Sequence, residues 1–418
     1  MSAAFKTSNE TIPDIELLTL RMTMTISRSV EAKFKELFKE EPLLLRSPGR
    51  VNLIGEHTDY NHGYVLPAAI DKAIYFAISP RTDRRCELYA LDLNDEHTFD
   101  IGQLRSSPKG WPNYLMGVVD QLLKRGYHTG GFNCVFGGDI PIGAGLSSSA
   151  AIEAGLAFAL NTIFELGIED LELVKLAQKA ENEFVGVQCG IMDQYINIFG
   201  EQDHALRLDC RSLESQRYPI DHNVSIVLFD TRVSHSLASS EYNRRRRECN
   251  EGVETVRKSY PKVTHLRDVS VEMLAEFNAE MDPVTYRRCR YVVEENDRVL
   301  KACCALEHND LAQFGCLMYE THEGLSRDYE VSCSELDYLV ESVRGNSSVY
   351  GARMMGGGFG GCTINLVEQG ETEAVRRLVT GKYRSKFNIE PRMYVTSISA
   401  RTGLMTVNEE TKGGVELS

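Results

Sequence analysis

The sequence lacks any uninterrupted apolar run that approaches the roughly 20 residues of a membrane-spanning helix. Its N-terminus, a short run from Met1 to Lys6 followed by polar residues and Pro13, lacks the apolar core of a signal peptide. We therefore expect a protein that makes no contact with a membrane and that lies in the cytoplasm.

The 11 cysteines show none of the spacing that a shared site requires. There is no C-x-x-C pair, and Cys303 and Cys304 are adjacent in the chain. An odd, unpatterned set argues against a disulfide framework and against a zinc site. Reduced thiols in a cytosolic protein are the expectation.

An excess of positive charge is also missing, because 46 lysines and arginines face 60 acidic residues and the formal net charge is −14. Binding to nucleic-acid phosphates needs concentrated lysine and arginine, so we expect no nucleic-acid partner. The basic run Arg244–Arg247 is an exception. Short runs of this kind usually lie on a solvated or salt-bridged helix face.

Apolar periodicity predicts alternating helices and strands over most of the 418 residues. The predicted helices are Ser27–Glu41, one that begins near Ser148, Leu171–Phe184, Glu241–Tyr260, Thr285–Glu307, Asp310–Ser326 and Cys333–Val343. The predicted strands are Leu43–Leu45, Val51–Ile54, Ala73–Ser79, Cys86–Asp92, Asn133–Ile140, Val224–Asp230 and Cys362–Val367. This order favours two mixed α/β lobes over a doubly wound sheet.

A glycine-rich loop, GDIPIGAGLSSSAAIEAG, connects a predicted strand to a predicted helix at residues 138–155. Gly143 and Gly145 allow a ligand to approach the backbone, and the first N–H groups of the helix form an anion site. Ser147–Ser149 add hydroxyls that either cap the helix or reach phosphate and a metal. The loop has neither the Walker pattern nor the dinucleotide fingerprint, so it predicts nucleotide phosphate binding by a different loop.

A second glycine cluster, GARMMGGGFGGCTINLV, begins at Gly351 and precedes a predicted strand. So many glycines raise the entropic cost of folding. The cluster therefore indicates backbone packed closely against another loop or a ligand, with a flexible hinge as the alternative.

Charged and polar side chains crowd into one short turn, GEHTDYN, at residues 55–61. Glu56, His57 and Asp59 are suited to hold sugar hydroxyls, and Arg50 lies just upstream. Glu181 and Asp193 form a second acidic region, for which exposed surface carboxylates are the simpler interpretation.

Three motifs together resemble those of the galactokinase family. GRVNLIGEHTDYNHG at residues 49–63 resembles the galactokinase signature, and PIGAGLSSSA at 141–150 and MGGGFGGC at 355–362 resemble the second and third motifs of the wider GHMP kinases. Further agreement comes from ENEFVGVQCGIMDQ, SSEYNRRRREC, RYVVEENDRV and DYEVSCSELD, and the resemblance covers about residues 26–404. The stretch before it is not explained by the family.

The resemblance implies a role for each matching residue. Asp193 would be the catalytic aspartate facing the sugar O1 hydroxyl, and Arg50 would pair with it and stabilise the transferring phosphoryl group. Trp111 and Tyr114 would lie near the adenine. The sugar-binding set would be Arg50, Glu56, His57, Thr58, Asp59, Gly190, Asp193 and Tyr242. The loop around the ATP phosphates would be Gly143, Ala144, Gly145, Leu146, Ser147, Ser148 and Ser149, with Ser149 and Glu181 holding Mg²⁺.

The implied fold is the two-lobed GHMP kinase fold, α/β and α+β, with the active site between the lobes. Residues 1–200 would form an N-terminal α/β lobe and residues 201–390 a C-terminal α+β lobe. A C-terminal strand at about 391–418 would return to the first lobe. The sequence leaves the oligomeric state open and is compatible with a monomer.

The implied reaction transfers the γ-phosphate of ATP to O1 of D-galactose, giving galactose 1-phosphate and ADP, the first committed step of galactose catabolism by the Leloir pathway. Two alternatives stay open: a kinase for N-acetylgalactosamine, arabinose or galacturonate, and a non-catalytic galactose sensor. Because Arg50 would favour the charged form of Asp193, we expect this aspartate to be a weak base. It would orient the hydroxyl and accept its proton late in a loose transition state.

Overall fold

The structure is a computed structural model that describes residues 14–141, 143–234, 238–407 and 415–417. Over these ranges the strands are β1 (Leu43–Asn52), β2 (Tyr64–Val65), β3 (Pro67–Pro80), β4 (Arg85–Ala90), β5 (Asp95–Asp100), β6 (Phe132–Gly138), β7 (His204–Asp209), β8 (Ser215–Pro219), β9 (Val224–Ser234), β10 (Val349–Met354), β11 (Gly360–Glu368), β12 (Arg392–Thr396), β13 (Gly403–Val407) and β14 (Val415–Leu417).

The α-helices in the same ranges are α1 (Asp14–Phe38), α2 (Pro112–Lys124), α3 (Ser148–Ile163), α4 (Asp170–Lys179), α5 (Met192–Phe199), α6 (Ala238–Arg257), α7 (Val271–Ala275), α8 (Pro283–Glu307), α9 (Leu311–Glu323), α10 (Ser334–Val343) and α11 (Thr372–Phe387). Short π-helical turns follow α4 at Ala180–Val185 and α9 at Gly324–Asp328.

A seven-stranded sheet combines five strands of the first half of the chain with β13 and β14 of its C-terminal end, in the order β14-β13-β1-β3-β6-β4-β5. All neighbouring pairs are antiparallel except β4 with β6. The central strand β3 is buried on both faces, because Phe76 faces the main core with α3 while Tyr75 faces α1. Successive side chains of a strand point to opposite faces, and both faces of β3 are buried. Its sequence is therefore a nearly continuous apolar run.

A four-stranded antiparallel sheet, β10-β11-β9-β12, carries the later part of the chain. One face packs on α10 and α11 through residues such as Phe229 and Val340. The other face, with Leu228 and Ile364, joins the same core cluster as Phe76 of the seven-stranded sheet. One continuous hydrophobic core therefore connects the two sheets. A small sheet, β2-β7-β8, lies beside β3.

Some predicted elements differ from the observed ones for local reasons. The two short strands at Leu43–Leu45 and Val51–Ile54 are one strand, β1, whose register shifts between Pro48 and Arg50. A bulge of this kind interrupts the apolar alternation and makes one strand look like two. The helix predicted to end at Phe184 changes to π-helical geometry after Lys179.

The ends of the chain are described in part. Residues 14–25 belong to α1, and residues 1–13 lie outside the described ranges. In the C-terminal segment, β12 pairs with β9 of the four-stranded sheet, whereas β13 pairs with β1 of the seven-stranded sheet. The lobe limits at residues 200 and 390 stay predictions.

The basic run Arg244–Arg247 lies on α6 and is salt-bridged in part, as the pattern predicts. Arg244 pairs with Glu248 at 2.9 Å. Arg245, however, is buried and donates to the carbonyls of Tyr329 and Glu330. All 11 cysteines lie in the described ranges and are free thiols. None of the helices described is both long and apolar enough to cross a membrane.

The contact between α9 and β10 depends on a glycine, and this gives a test of the packing. A Cβ atom at Gly315 would lie 1.8 Å from the carbonyl oxygen of Tyr350, whereas one at the exposed Gly381 in α11 would meet no atom within 4 Å. We expect Gly315→Ala to lower the free energy of unfolding by about 1–3 kcal/mol through overpacking. Gly381→Ala should raise it by about 0.5–1 kcal/mol through helix propensity. Urea denaturation of both variants measures the free energy of unfolding. Equal changes in the two variants would contradict the close contact between α9 and β10.

Candidate active site

A cavity of about 520 Å³ lies where the turn after β1 meets α6, the segment before α5 and the second glycine cluster. Half of the sixteen predicted site residues line it: Arg50, Glu56, His57, Asp59, Glu181, Gly190, Asp193 and Tyr242. Thr58 and the loop Gly143–Ser149 are not among its lining residues. The fold thus brings into one cavity side chains that are far apart in sequence.

A two-point ion pair joins β1 to α5 at the cavity wall. Arg50 donates from Nε to Oδ1 of Asp193 and from Nη2 to Oδ2, both at 2.8 Å. The side chain of Arg50 is 6% exposed and that of Asp193 is 24% exposed. A buried, forked arginine–carboxylate pair fixes both side chains in one geometry and leaves the aspartate open to the cavity.

The same arginine holds the predicted phosphate loop. Its Nη1 donates to the carbonyl of Gly145, and its backbone N–H donates to the carbonyl of Leu146 at 3.3 Å. Ser147, at the N-cap of α3 with φ +54°, donates from its hydroxyl to Oδ2 of Asp193. The loop is therefore tied to the ion pair, although its residues do not line the cavity itself.

The loop backbone needs its glycines. Gly143 and Gly145 have φ of +77° and +75°, which favours glycine. Ala144 and Leu146 point into the core and are buried, so they can offer a ligand only their backbone. Ser148 and Ser149 begin α3 and are half-buried, and Ile142 lies outside the described residues.

The second glycine cluster packs against this loop and against neighbouring chain, as its composition indicated. A Cβ atom at Gly358 would lie 2.1 Å from the carbonyl oxygen of Val331, and one at Gly361 would lie 3.5 Å from that of Gly143. Gly357 lies against the ring of Tyr242. The glycines thus permit close approach of backbone segments, which supports the packing interpretation over the hinge.

The polar turn is held mainly by its own backbone and by side chains from the second half of the chain. The Thr58 hydroxyl lies 2.9 and 2.6 Å from the carbonyl oxygens of Gly55 and Tyr64 and shares its one proton between them, so it closes the turn. Glu56 is 3% exposed, and its Oε1 accepts from Arg353 at 3.0 Å and from the Gly356 N–H at 2.8 Å. Its other oxygen has no partner among the described residues.

His57 is buried, and its neutral imidazole can donate one hydrogen bond and accept another. Its Nδ1 lies 2.8 Å from the Tyr60 hydroxyl, which lies 2.7 Å from that of Tyr329. Its Nε2 is buried without a hydrogen-bond partner in the described structure. Burial, and secondarily the charge of Arg245, lowers the pKa of His57 to about 3. The imidazole is therefore uncharged at neutral pH.

Asp59 and Gly190 meet across the cavity. A Cβ atom at Gly190 would lie 1.8 Å from Oδ2 of Asp59, so only glycine leaves room for this carboxylate. Burial raises the pKa of Asp59 to about 7, and the negative charges of Asp193 and Glu56 add to the effect. Tyr242 lies 5.4 Å from the His57 ring, and its pKa is raised well above the ordinary value, first by burial. Its hydroxyl therefore stays protonated.

Glu181 lies in the π-helical turn, beside two further polar groups. Its Oε2 accepts from Nε2 of Gln194 at 2.8 Å and from the Cys189 thiol at 3.4 Å. Burial raises the pKa of Glu181, with the charge of Asp193 as the second cause, while the Ser149 hydroxyl favours the ionised form. Two sequence-predicted metal ligands are thus close together.

Several residues near the site were missed by sequence reasoning. Glu153 is fully buried one helical turn after Ser149, and its Oε1 has no partner among the described residues. Arg353 and Glu295 contact the polar turn from far away in the chain. All three belong to or adjoin the quoted motifs. Their contacts, however, are with residues far away in the sequence, so no local sequence pattern predicts them. The predicted adenine residue Trp111 donates to Oδ2 of Asp95 at 2.9 Å and does not line the cavity.

Comparison with known families matches three models to this chain. The galactokinase galactose-binding signature matches residues 32–80, the GHMP kinase N-terminal domain residues 113–201, and the GHMP kinase C-terminal domain residues 300–384. The galactokinase of Roseiflexus sp. (strain RS-1) is 44% identical over 377 residues, which cover 90% of this chain and 96% of the relative.

Solved structures agree with the sequence comparisons. Lactococcus lactis galactokinase complexed with galactose is similar with a TM-score of 0.84 and 35% identity, over 90% of this chain and 98% of that one. The mevalonate kinase of Methanococcus jannaschii shares the fold with a TM-score of 0.61 and 19% identity, over 87% of this chain and 100% of that one. The architecture is thus the GHMP kinase fold that the sequence predicted, and the chain belongs to the galactokinase family of GHMP kinases.

Proposed function

We propose that the cavity binds D-galactose and that Asp193 and Arg50 act on its O1 hydroxyl while the γ-phosphate of ATP is transferred to it. The observation that carries the proposal is the forked ion pair between these residues, which opens into a cavity lined by Glu56, His57 and Asp59. The membership in an ATP-dependent sugar kinase family supports the same reaction.

Sugar hydroxyls find both acceptors and donors in the cavity. The free oxygen of Glu56 accepts, the carboxylate of Asp59 accepts in its ionised form, and the protonated hydroxyl of Tyr242 donates. His57 is neutral, so its Nε2 carries no charge. Nε2 can form one hydrogen bond with the sugar, as donor or acceptor according to the tautomer. Gly190 lets the sugar approach the backbone. Thr58 acts by fixing the turn, since its hydroxyl is already used.

Asp193 orients O1 and accepts its proton late. Arg50 and Ser147 already donate three hydrogen bonds to the Asp193 carboxylate, so about one of its four lone-pair positions is left for the sugar. In phosphoryl transfer with a loose transition state, positioning of the nucleophile matters more than early proton removal. Arg50 supplies positive charge where the transferred group gains negative charge.

The loop Gly143–Ser149 is proposed to hold the phosphates of ATP through backbone N–H groups at the start of α3. Magnesium fits the residues beside it, because the Glu181 carboxylate and the Ser149 hydroxyl are oxygen donors in contact. Among the described residues no three acidic, His or Cys side chains are arranged to hold a metal. Mg²⁺ usually takes only one or two carboxylates and completes its shell with phosphate and water. When bound there, it would neutralise phosphate charge.

We further propose where the reaction takes place and which small molecules take part in it. ATP as a substrate and the 11 free thiols support a cytoplasmic location. D-Galactose and MgATP are the proposed small-molecule partners.

ADP release from MgATP tests the substrate directly, with D-galactose, N-acetylgalactosamine, L-arabinose, galacturonate and glucose compared in parallel. We expect strong turnover with galactose alone, because the cavity offers hydroxyl partners and little excess positive charge for an acidic sugar. Stronger turnover with another sugar would move the assignment to that sugar. Galactose binding without turnover would identify a sensor.

The role of Asp193 is tested by Asp193→Asn. The amide is similar in size, so the KM for galactose should stay within about threefold while kcat falls by roughly 10²–10⁴, the usual contribution of a positioned proton acceptor. Steady-state kinetics in both substrates measure this. A kcat near that of the unaltered protein would rule out the role.

The pH dependence of sugar binding follows from Asp59. Its pKa of about 7 means that the accepting, ionised form is lost as the pH falls from 8 to 6. We therefore expect kcat/KM for galactose to decrease over this interval, since that ratio reports groups of the free enzyme. Asp59→Asn should lower kcat/KM and remove the inflection near pH 7. An inflection that persists in this variant would assign the titration to another group.

A further inference from the structure

We infer that Arg353 is a positioning residue for the sugar, which sets the orientation of Glu56 from the opposite sheet. This inference rests on the proposed function, since it concerns the same sugar site. Arg353 lies on β10, and its side chain is fully buried, with 0% exposure. It does not line the cavity. Burying a guanidinium so completely requires that its donors find acceptors.

Each arm of Arg353 has a definite partner. Nε donates to the carbonyl of Leu53 at 2.9 Å, and Nη2 donates to the carbonyl of Asn52. Nη1 donates to Oε1 of Glu56 at 3.0 Å and to its neighbour's carbonyl, that of Met354, at 2.6 Å. One planar group thus contacts both the strand that leads into the polar turn and the turn's first acidic side chain.

This arrangement leaves one oxygen of Glu56 for the sugar. Oε1 is fully engaged by Arg353 and by the Gly356 N–H at 2.8 Å, whereas Oε2 has no partner among the described residues and Glu56 lines the cavity. The one hydrogen bond from Nη1 comes from a planar guanidinium that the carbonyls of Leu53 and Asn52 hold in place, so the carboxylate cannot rotate freely to present either oxygen. Arg353 therefore determines which oxygen faces the sugar and in what direction.

Lysine at position 353 would keep the positive charge but would lack the planar set of N–H donors of the guanidinium group. An ammonium group cannot reach Glu56 and the two carbonyls of residues 52 and 53 with the same planar geometry. The loss of one hydrogen bond to a charged group corresponds to about 10- to 100-fold in affinity. We expect Arg353→Lys to raise the KM and the Kd for galactose by that factor, and to leave the KM for MgATP within about twofold.

Arg46 provides a matched control. It is also a buried arginine, 6% exposed, and it donates to the carbonyls of Ile70 and Ala400 and to the Ser399 hydroxyl. It lies on β1 outside the cavity lining. Arg46→Lys should lower thermal stability and leave both KM values unchanged. A merely structural role of Arg353 would make the two variants behave alike.

A double-mutant comparison isolates the contact with Glu56. If Arg353 acts through Glu56, then Glu56→Gln should cost much less affinity for galactose in the Arg353→Lys background than in the unaltered protein. Independent, multiplicative effects would overturn the inference, and so would an unchanged KM for galactose in Arg353→Lys.

Two further outcomes distinguish a failure of the Arg353 inference from a folding defect and from a failure of the proposed function. If Arg353→Lys does not fold, Arg353→Gln, which keeps an amide donor, is measured instead. Failure of both to fold, while Arg46→Lys folds, would reject the positioning role in favour of a role in folding. If the unaltered protein neither binds galactose by calorimetry nor turns it over, the proposed function fails and this inference with it. If the unaltered protein does both, the variants decide on Arg353 alone.

Discussion

The constraint on which the site depends is the burial of a polar turn between two sheets. Most residues between 52 and 64 are buried, so their backbone groups need partners inside the protein. Side chains of the second half of the chain supply them: Glu295 accepts from the Gly55 N–H at 2.9 Å, and Asn296 accepts from the Tyr64 N–H at 2.9 Å. Tyr291 donates to the Glu56 carbonyl. The turn that carries Glu56, His57 and Asp59 is therefore shaped by α8 and β10 as much as by its own sequence.

The ion pair of Arg50 with Asp193 performs the same task for the other side of the cavity. Because Arg50 also donates to the Gly145 carbonyl and Ser147 donates to Asp193, the loop Gly143–Ser149, β1 and α5 share one hydrogen-bonded unit. The glycines of residues 356–361 pack on this loop from the opposite side. The proposed sugar-binding and phosphate-binding parts are thus connected through one arginine, and preorganisation of both would lower the entropic cost of binding.

The sequence predicts those parts of the site whose signal is local. Gly143, Gly145 and Ser147 form a recognisable pattern because the positive φ angles and the start of α3 occur within a few residues. The contacts of Glu295 with Gly55 and of Arg353 with Glu56 span 240 and 297 residues, and no periodicity announces them. The same holds for the elements: the long helices α3, α6, α8 and α9 were predicted, whereas α2 and α11 were not, and the bulged β1 was read as two strands. The short strands β5, β7, β8 and β10 were not predicted either, since short strands carry little pattern of their own.

The cavity also concentrates negative charge beyond what stability would favour. Asp59, Glu181 and Asp193 lie near one another with Arg50 as their main counter-charge, and the fully buried Glu153 lies beside Glu181. Burial and mutual repulsion raise the pKa of Asp59, Glu181 and Glu153, so folding keeps these carboxyl groups in an unfavourable environment. Local rules are broken in this way chiefly at functional sites. Of the proposed roles, Asp59 accepts hydroxyls, Asp193 orients O1 and Glu181 offers a ligand for magnesium, so the charge that destabilises the fold is the charge that the reaction uses.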